Sequence, residues 1–91
     1  MIVSPVDGSV LSGASETFTW TADGAAVTNW RLEVGTTVGG RELYGKSWTS
    51  GTTSILVSGL PTDGSIVYVK LKWKIDGVVS EANYVYTAAI L

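Results

Sequence analysis

Each of the four aspartates in this sequence stands immediately before a glycine, and these pairs divide the chain into short segments. The pairs are Asp7-Gly8, Asp23-Gly24, Asp63-Gly64 and Asp76-Gly77. Asp tolerates left-handed backbone and bonds to its own turn, whereas Gly adopts a positive φ without steric cost. Each pair therefore predicts a turn, and regular structure is expected between the pairs.

The segments between the turns alternate apolar and polar residues, the pattern of a half-buried β-strand. Residues 16–21 place aromatic side chains on one face and threonines on the other, and residues 29–34 place Arg31 and Glu33 opposite three apolar side chains. Weaker strands are predicted over 43–48 and 53–58. Glycine and β-branched residues are frequent and no stretch keeps helical spacing over three turns, so the chain is predicted to be all-β.

The clearest predicted element is a hairpin around Asp76-Gly77. A two-residue type I′ turn there sets Ile75 opposite Val78 and fixes the register of both strands. The inward pairs are then Trp73 with Ser80, Leu71 with Ala82, Val69 with Tyr84, and Val67 with Tyr86. The outward residues of the first strand are Tyr68, Lys70, Lys72 and Lys74.

The alternation and the hairpin register together predict a large aromatic and aliphatic core. Its predicted members are Phe18, Trp20, Trp30, Leu32, Val34, Ile55, Val57, Leu60, Val67, Val69, Leu71, Trp73, Tyr84 and Tyr86.

Three stretches carry a family resemblance: LEVGTTVGG at 32–40, TSILVSGLP at 53–61 and VYVKL at 67–71. They resemble the fibronectin type III and immunoglobulin-like modules of bacterial exported multidomain proteins. The resemblance implies one seven-strand antiparallel immunoglobulin/fibronectin-III-like β-sandwich over residues 1–91. In that family a tryptophan in the second strand anchors the core and a Gly-Leu-x-Pro step precedes the sixth strand. Trp20 and Leu60 match those positions.

One feature of the family is displaced. Its tyrosine corner places an inward tyrosine at the start of the sixth strand. The hairpin register here puts Val67 inward and Tyr68 outward. Either a bulge resets the parity or the corner is absent. Such a resemblance predicts fold far better than function.

Composition removes several kinds of chemistry. The chain has no Cys and no His, which excludes thiolate and imidazole catalysis, disulfides and the usual zinc sites. The net charge of −2 disfavours nucleic acid as a partner, and no apolar run is long enough to predict membrane insertion. Only 15% of residues are charged, against about 25% in an average domain, which suits a module packed among neighbours or facing a neutral ligand.

The acidic residues are predicted to be structural. The four aspartates belong to turns, and the glutamates occur singly, so no catalytic carboxylate pair is expected. Asp23 and Asp76 fall at one end of the predicted sandwich and Asp7 and Asp63 nearer the other. Two acids supply too few of the six to eight oxygens that calcium takes, and no metal or other cofactor is predicted.

Exposed aromatic rings are candidates for stacking on sugars. The parity of the strands leaves Trp48, Tyr44 and Tyr68 outside the predicted core. Trp48 lies in a Ser-, Thr- and Gly-rich segment that could expose its ring, and the alternative is that it covers the edge of the core.

Lys70, Lys72 and Lys74 form a stripe that suggests an anionic polymer such as an acidic polysaccharide or nucleic acid. The alternative, which we prefer from sequence, is cross-strand neutralisation by Glu81 and Glu33, with Lys72 directly opposite Glu81.

The resemblance and the excluded chemistry predict a non-catalytic structural or adhesive spacer of a bacterial exported or cell-surface protein. Its expected partners are neighbouring domains or like subunits. A carbohydrate-binding accessory module and a self-assembling fibre or virion subunit are the alternatives.

Both ends of the chain are apolar and strand-like. Ile2, Val3, Ile90 and Leu91 are predicted to lie at sheet edges with unpaired backbone groups, guarded only by Pro5. They are candidates for contacts with a neighbouring domain or subunit, and the alternative is that they complete the first and last strands.

Overall fold

The computed structural model describes residues 1–91 and contains seven strands and no helix. It therefore has no helix that could cross a membrane. The strands are β1 (Ile2–Ser4), β2 (Glu16–Trp20), β3 (Asn29–Gly35), β4 (Tyr44–Gly45), β5 (Ser54–Val57), β6 (Ile66–Ile75) and β7 (Val78–Thr87). All strand pairs are antiparallel. The all-β prediction is confirmed.

The strands form two sheets that share one core. The small sheet has the order β1-β2-β5, and the large sheet has the order β4-β3-β6-β7. Phe18 of the small sheet meets Tyr86 of the large sheet edge to face, with ring centroids 5.6 Å apart. Trp20 and Trp30 make a second contact between the sheets at 6.0 Å. These aromatic pairs join the sheets because each buries a large apolar area.

Most of the predicted core is buried, with three exceptions that lie at its margin. Ile55, Trp73 and Tyr84 are half-buried and pack against the buried cluster. The sequence did not predict Leu11 or the alanines at 88 and 89, which are also buried. These three residues lie outside the alternating strands, so no periodic pattern marks them as internal.

Three of the four Asp-Gly pairs form turns, and two of these use left-handed backbone at both residues; at the fourth, Asp63 bridges to Ile90 and Gly64 lies in a bend. Asp76 and Gly77 have φ values of 50° and 77°, which matches the predicted type I′ hairpin. The register from Ile75 with Val78 to the far end of the hairpin is as predicted. The two strands of ten residues each make this hairpin the longest feature of the molecule.

The predicted strand over 43–48 is mostly absent. Only Tyr44 and Gly45 pair with β3, and Thr49 forms a separate bridge to Trp30. A Cβ at Gly45 would lie 2.6 Å from Arg41 Nε, so glycine at this position leaves room for the Arg41 side chain.

The inward tyrosine comes from β7 instead of the start of β6. Val67 is buried and Tyr68 faces outward, and the register of β6 against β7 has no bulge. The corner tyrosine is thus absent from β6. Tyr86 donates its hydroxyl to the Pro5 carbonyl at 2.9 Å. Burial raises the pKa of the Tyr86 phenol above its ordinary value, with a smaller contribution from Asp7.

β7 is an edge strand of the large sheet, and the segment that follows β1 covers its C-terminal end. The Gly8 amide donates to the Val85 carbonyl at 2.8 Å, and the Leu11 amide donates to the Thr87 carbonyl at 2.8 Å. The Thr87 amide in turn donates to the Ser9 carbonyl at 3.1 Å. This parallel contact protects one half of an edge strand that is otherwise open.

The expectation of unpaired chain ends is wrong in part: both ends are hydrogen-bonded to the body on one side, while β1 remains an edge strand of the small sheet. Ile2 pairs with Trp20 and packs against the core. The Ala88 amide donates to the Ser65 carbonyl at 2.7 Å, and the Leu91 amide donates to the Thr62 carbonyl at 3.2 Å. Residues 88–91, here called the tail, therefore continue past β7 along residues 62–65.

The two termini lie toward opposite ends of the β6–β7 hairpin, in a body that measures 42 × 21 × 17 Å. The Met1 amino group donates to the Thr21 carbonyl, beside the loop that joins β2 to β3. That loop contacts the hairpin end, where the Thr28 amide donates to the Lys74 carbonyl at 2.9 Å. The tail lies beside the start of β6, at the other end of the hairpin.

Candidate binding face

The outer surface of the large sheet collects most of the positive charge of the molecule. Residues of β3 and β6 alternate between the core and this surface, and Arg31 pairs with Lys72 and Glu33 with Lys70. We call this surface the basic face. Its charged members are Arg31, Glu33, Arg41, Lys70, Lys72, Lys74 and Glu81.

Glu33 is buried although it faces away from the core. Its carboxylate contacts Arg31 Nε at 3.2 Å, Arg41 Nε at 3.5 Å and Lys72 Nζ at 3.7 Å. The long side chains of these cations cover it, because Lys and Arg can lay their aliphatic stems over a sheet while the charged group reaches an anion. One carboxylate thus serves three cations.

Glu81 pairs diagonally. Its Cα lies opposite Lys72, as the sequence predicted, but its carboxylate contacts Lys70 Nζ at 3.2 Å. Lys72 turns instead toward Glu33. Neutralisation by Glu33 and Glu81, the interpretation preferred from sequence, therefore holds for Lys70 and Lys72.

Lys74 contacts the ring of Trp48 and no carboxylate. Its ammonium lies 4.5 Å from the centroid of the Trp48 ring. A cation over an indole at this distance contributes about 0.5–1 kcal/mol at an exposed site. Trp48 is half-buried, and its contact with Lys74 places it beside the basic face at the hairpin end.

The two candidate tyrosines lie on different sides of the large sheet. Tyr68 is half-buried on the basic face, opposite Gly35 and Val85. Tyr44 lies opposite the inward residue Val34 and packs against the core. The structure therefore brings Trp48, Tyr68 and the three lysines to one surface and leaves Tyr44 out of it.

The charge on this surface is unbalanced. Five cations face two carboxylates, a net charge of +3, on a chain whose total charge is −2. The rest of the molecule therefore carries −5. The sixth cation, Lys46, follows β4 and has no ion pair.

Sequence reasoning identified the lysines and missed the arginines that join them. Arg31 was predicted to be outward, but a single strand gives no sign of which neighbour shares its face. Arg41 lies in the irregular segment between β3 and β4, and its contact with Glu33 depends on how that segment folds back. The path of that segment was the missing signal, since Glu33 was already expected beside the lysines of β6.

The turn aspartates hold local backbone. The Ser65 amide donates to Asp63 Oδ1 at 3.1 Å, and hydrogen bonding from the Ser65 side chain and then from its amide lowers the pKa of the Asp63 carboxyl. The Val85 amide donates to Asp7 Oδ1 at 2.9 Å and ties that turn to β7. No three carboxylates converge anywhere in the chain, and its surface has no enclosed pocket.

The four candidates for assembly differ in exposure. Ile2 is half-buried, whereas Val3 is 57% exposed and Ile90 and Leu91 are 81% and 85% exposed. The Ile2 amide donates to Tyr84 Oη at 3.1 Å and the Leu91 amide donates to the Thr62 carbonyl at 3.2 Å, so these two residues are tied to the body.

No family model matches the chain, and neither a curated protein nor a solved structure shows significant similarity to it.

Proposed function

We propose that this chain is a non-catalytic structural or adhesive spacer module of a bacterial exported or cell-surface protein. The observation that carries the proposal is the position of the two termini toward opposite ends of the β6–β7 hairpin. A module of this kind adds its full length to a string of modules, because the chain enters at one end and leaves at the other.

The ends of the body are suited to such a string. Met1 is held against the Thr21 carbonyl and Leu91 against the Thr62 carbonyl, so both junctions begin from ordered backbone. The core between them is continuous across both sheets. Pulling on the termini would therefore load the folded body instead of a loose end.

We further propose that the sandwich is of the fibronectin-III-like kind. Constant-type immunoglobulin domains place the fourth strand in the sheet of the first, second and fifth strands. Here β4 pairs with β3 in the other sheet, which gives three strands facing four. The resemblance of residues 32–40, 53–61 and 67–71 to such modules supports the same assignment.

Small-angle scattering of the chain and of a tandem fusion of two copies tests the spacer proposal. We expect the maximum dimension of the fusion to approach twice the 42 Å long axis of one copy. A fusion whose two copies fold against each other side by side would contradict it.

A further inference from the structure

We propose that the basic face binds an extended polysaccharide that carries carboxylate groups, with its rings stacking on the aromatic side chains at either end of the lysine row. This binding site is separate from the spacer role, which depends only on the termini.

The first reason is the incomplete neutralisation of the cations. Arg31, Arg41 and Lys72 share the single carboxylate of Glu33, and Lys74 contacts no carboxylate. Net positive charge on one surface raises the local concentration of anions, and a neutral or acidic remainder restricts the effect to that surface.

The second reason is the chemistry that the face already displays. Glu33 and Glu81 show that its lysines and arginines are placed to hold carboxylates at 3.2–3.7 Å. Glu81 lies at the rim with its side chain 47% exposed, so a ligand carboxylate has access to Lys70 in its place. These side chains are therefore placed to bind the carboxylate groups of a ligand.

The third reason is the shape of the row. Tyr68, Lys70, Lys72 and Lys74 alternate along one strand, and alternate residues of a strand are spaced by about 6.6–6.8 Å. The row thus spans roughly 20 Å, and Trp48 lies against Lys74 at its end. A row of regularly spaced cations fits an extended polymer with a repeating charge.

Nucleic acid fits the same surface less well. Duplex DNA carries one charge per about 1.7 Å and extends far beyond a face of this size. The remainder of the molecule, at −5, would repel it there. The side chains of Lys70 and Lys72 are only 19% and 27% exposed, so they lie along the sheet instead of projecting into a groove.

Titration with a short oligogalacturonate, followed by the indole and backbone amide signals in NMR, tests the proposal. The same oligomer with its carboxyl groups methyl-esterified is the neutral control. We expect shifts at Trp48, Tyr68 and the lysine row with the acid form, weakening as salt is added, and none with the ester.

Charge variants make the test specific. We expect Lys70→Gln and Lys74→Gln each to weaken binding by about two- to fivefold, the usual range for one exposed ion pair. Lys46→Gln removes the same charge outside the cluster of ion pairs and should weaken binding less than either of these substitutions. Glu81→Gln frees Lys70 and should tighten binding by a similar factor, a gain that misfolding would not produce.

Absence of binding, or equal binding of the acid and the ester, would overturn the proposal. So would an equal effect of Lys46→Gln and Lys74→Gln, since the attraction would then be nonspecific. Tighter binding of a DNA oligomer of matched charge would replace the polysaccharide by nucleic acid. None of these results changes the length of a tandem fusion, so the spacer proposal stands or falls separately.

Discussion

Trp20 and Trp48 contribute differently to stability because one is buried in the core and the other lies at the surface beside Lys74. Trp20 is buried between the sheets, and its ring packs on Trp30. We expect Trp20→Ala to reduce the free energy of unfolding by about 3–5 kcal/mol, because the core cannot collapse around so large a gap. Trp48→Ala should cost about 1 kcal/mol, since it removes a half-buried ring and one cation–π contact. Urea titration measures both, and equal losses would contradict this assignment.

Tyr86 links the stability of the fold to alkaline pH. Its folded-state pKa lies above its unfolded value of about 10, so the neutral phenol is favoured by folding. The stabilisation is complete below about pH 10 and is lost as the pH rises toward the folded pKa. We expect the free energy of unfolding to fall there by up to about 1.4 kcal/mol per pH unit.

Tyr86→Phe is the control for that pH dependence. It removes the hydrogen bond to the Pro5 carbonyl, which should cost about 1 kcal/mol at neutral pH. Above pH 10 the variant should lose stability less steeply than the wild type. Identical slopes in denaturant titrations over that range would show that another group carries the effect.

The β6–β7 hairpin is the element whose turn chemistry can be tested most directly. Gly77 has a φ of 77°, and a Cβ there would meet nothing within 4 Å. We expect Gly77→Ala to cost about 1–2 kcal/mol, all of it from the left-handed backbone. Gly13 is the matched control, since it also has open space and its φ is not positive. Gly13→Ala should be neutral or slightly stabilising.

Thermal unfolding of the two alanine variants decides the point. A similar effect of both substitutions would mean that the hairpin turn adapts to a side chain and does not fix the register.

At the level of elements, local chemistry made some features predictable and long-range contacts hid others. The register of β6 against β7 followed from Asp76-Gly77 alone, because a two-residue turn leaves no freedom in the pairing. The burial of Leu11 did not, because it depends on the hydrogen bond between the Leu11 amide and the Thr87 carbonyl. The cluster around Glu33 was hidden for the same reason: Arg41 reaches it from an irregular segment.

At the level of the whole molecule, the two proposed roles use different surfaces. The spacer role uses the two termini, toward opposite ends of the β6–β7 hairpin, and the polysaccharide site uses the side formed by the large sheet. A string of such modules would repeat the basic face along its length. Weak binding at each copy would then add up, because tethered sites raise the effective concentration of ligand.

The tail, residues 88–91, combines buried and exposed residues beside the start of β6. Ala88 and Ala89 are buried and bonded to Ser65 and Gly64, whereas Ile90 and Leu91 expose their side chains. Deleting residues 88–91 should therefore destabilise the fold by about 2–4 kcal/mol, through lost hydrogen bonds and opened core. Deleting residues 90–91 alone should cost less than about 1 kcal/mol, because it removes one backbone hydrogen bond near the surface.

Sedimentation of the intact chain and of the 90–91 deletion separates packing within the module from contact between modules. If Ile90 and Leu91 dock on a neighbour, the intact chain should associate as its concentration rises and the shorter one should not. The deletion retains the buried alanines, so loss of association could not be ascribed to unfolding. A monomer at every concentration for both proteins would remove the assembly role of these two residues. The spacer role would then depend on covalent linkage alone, because no noncovalent contact would hold successive modules in line.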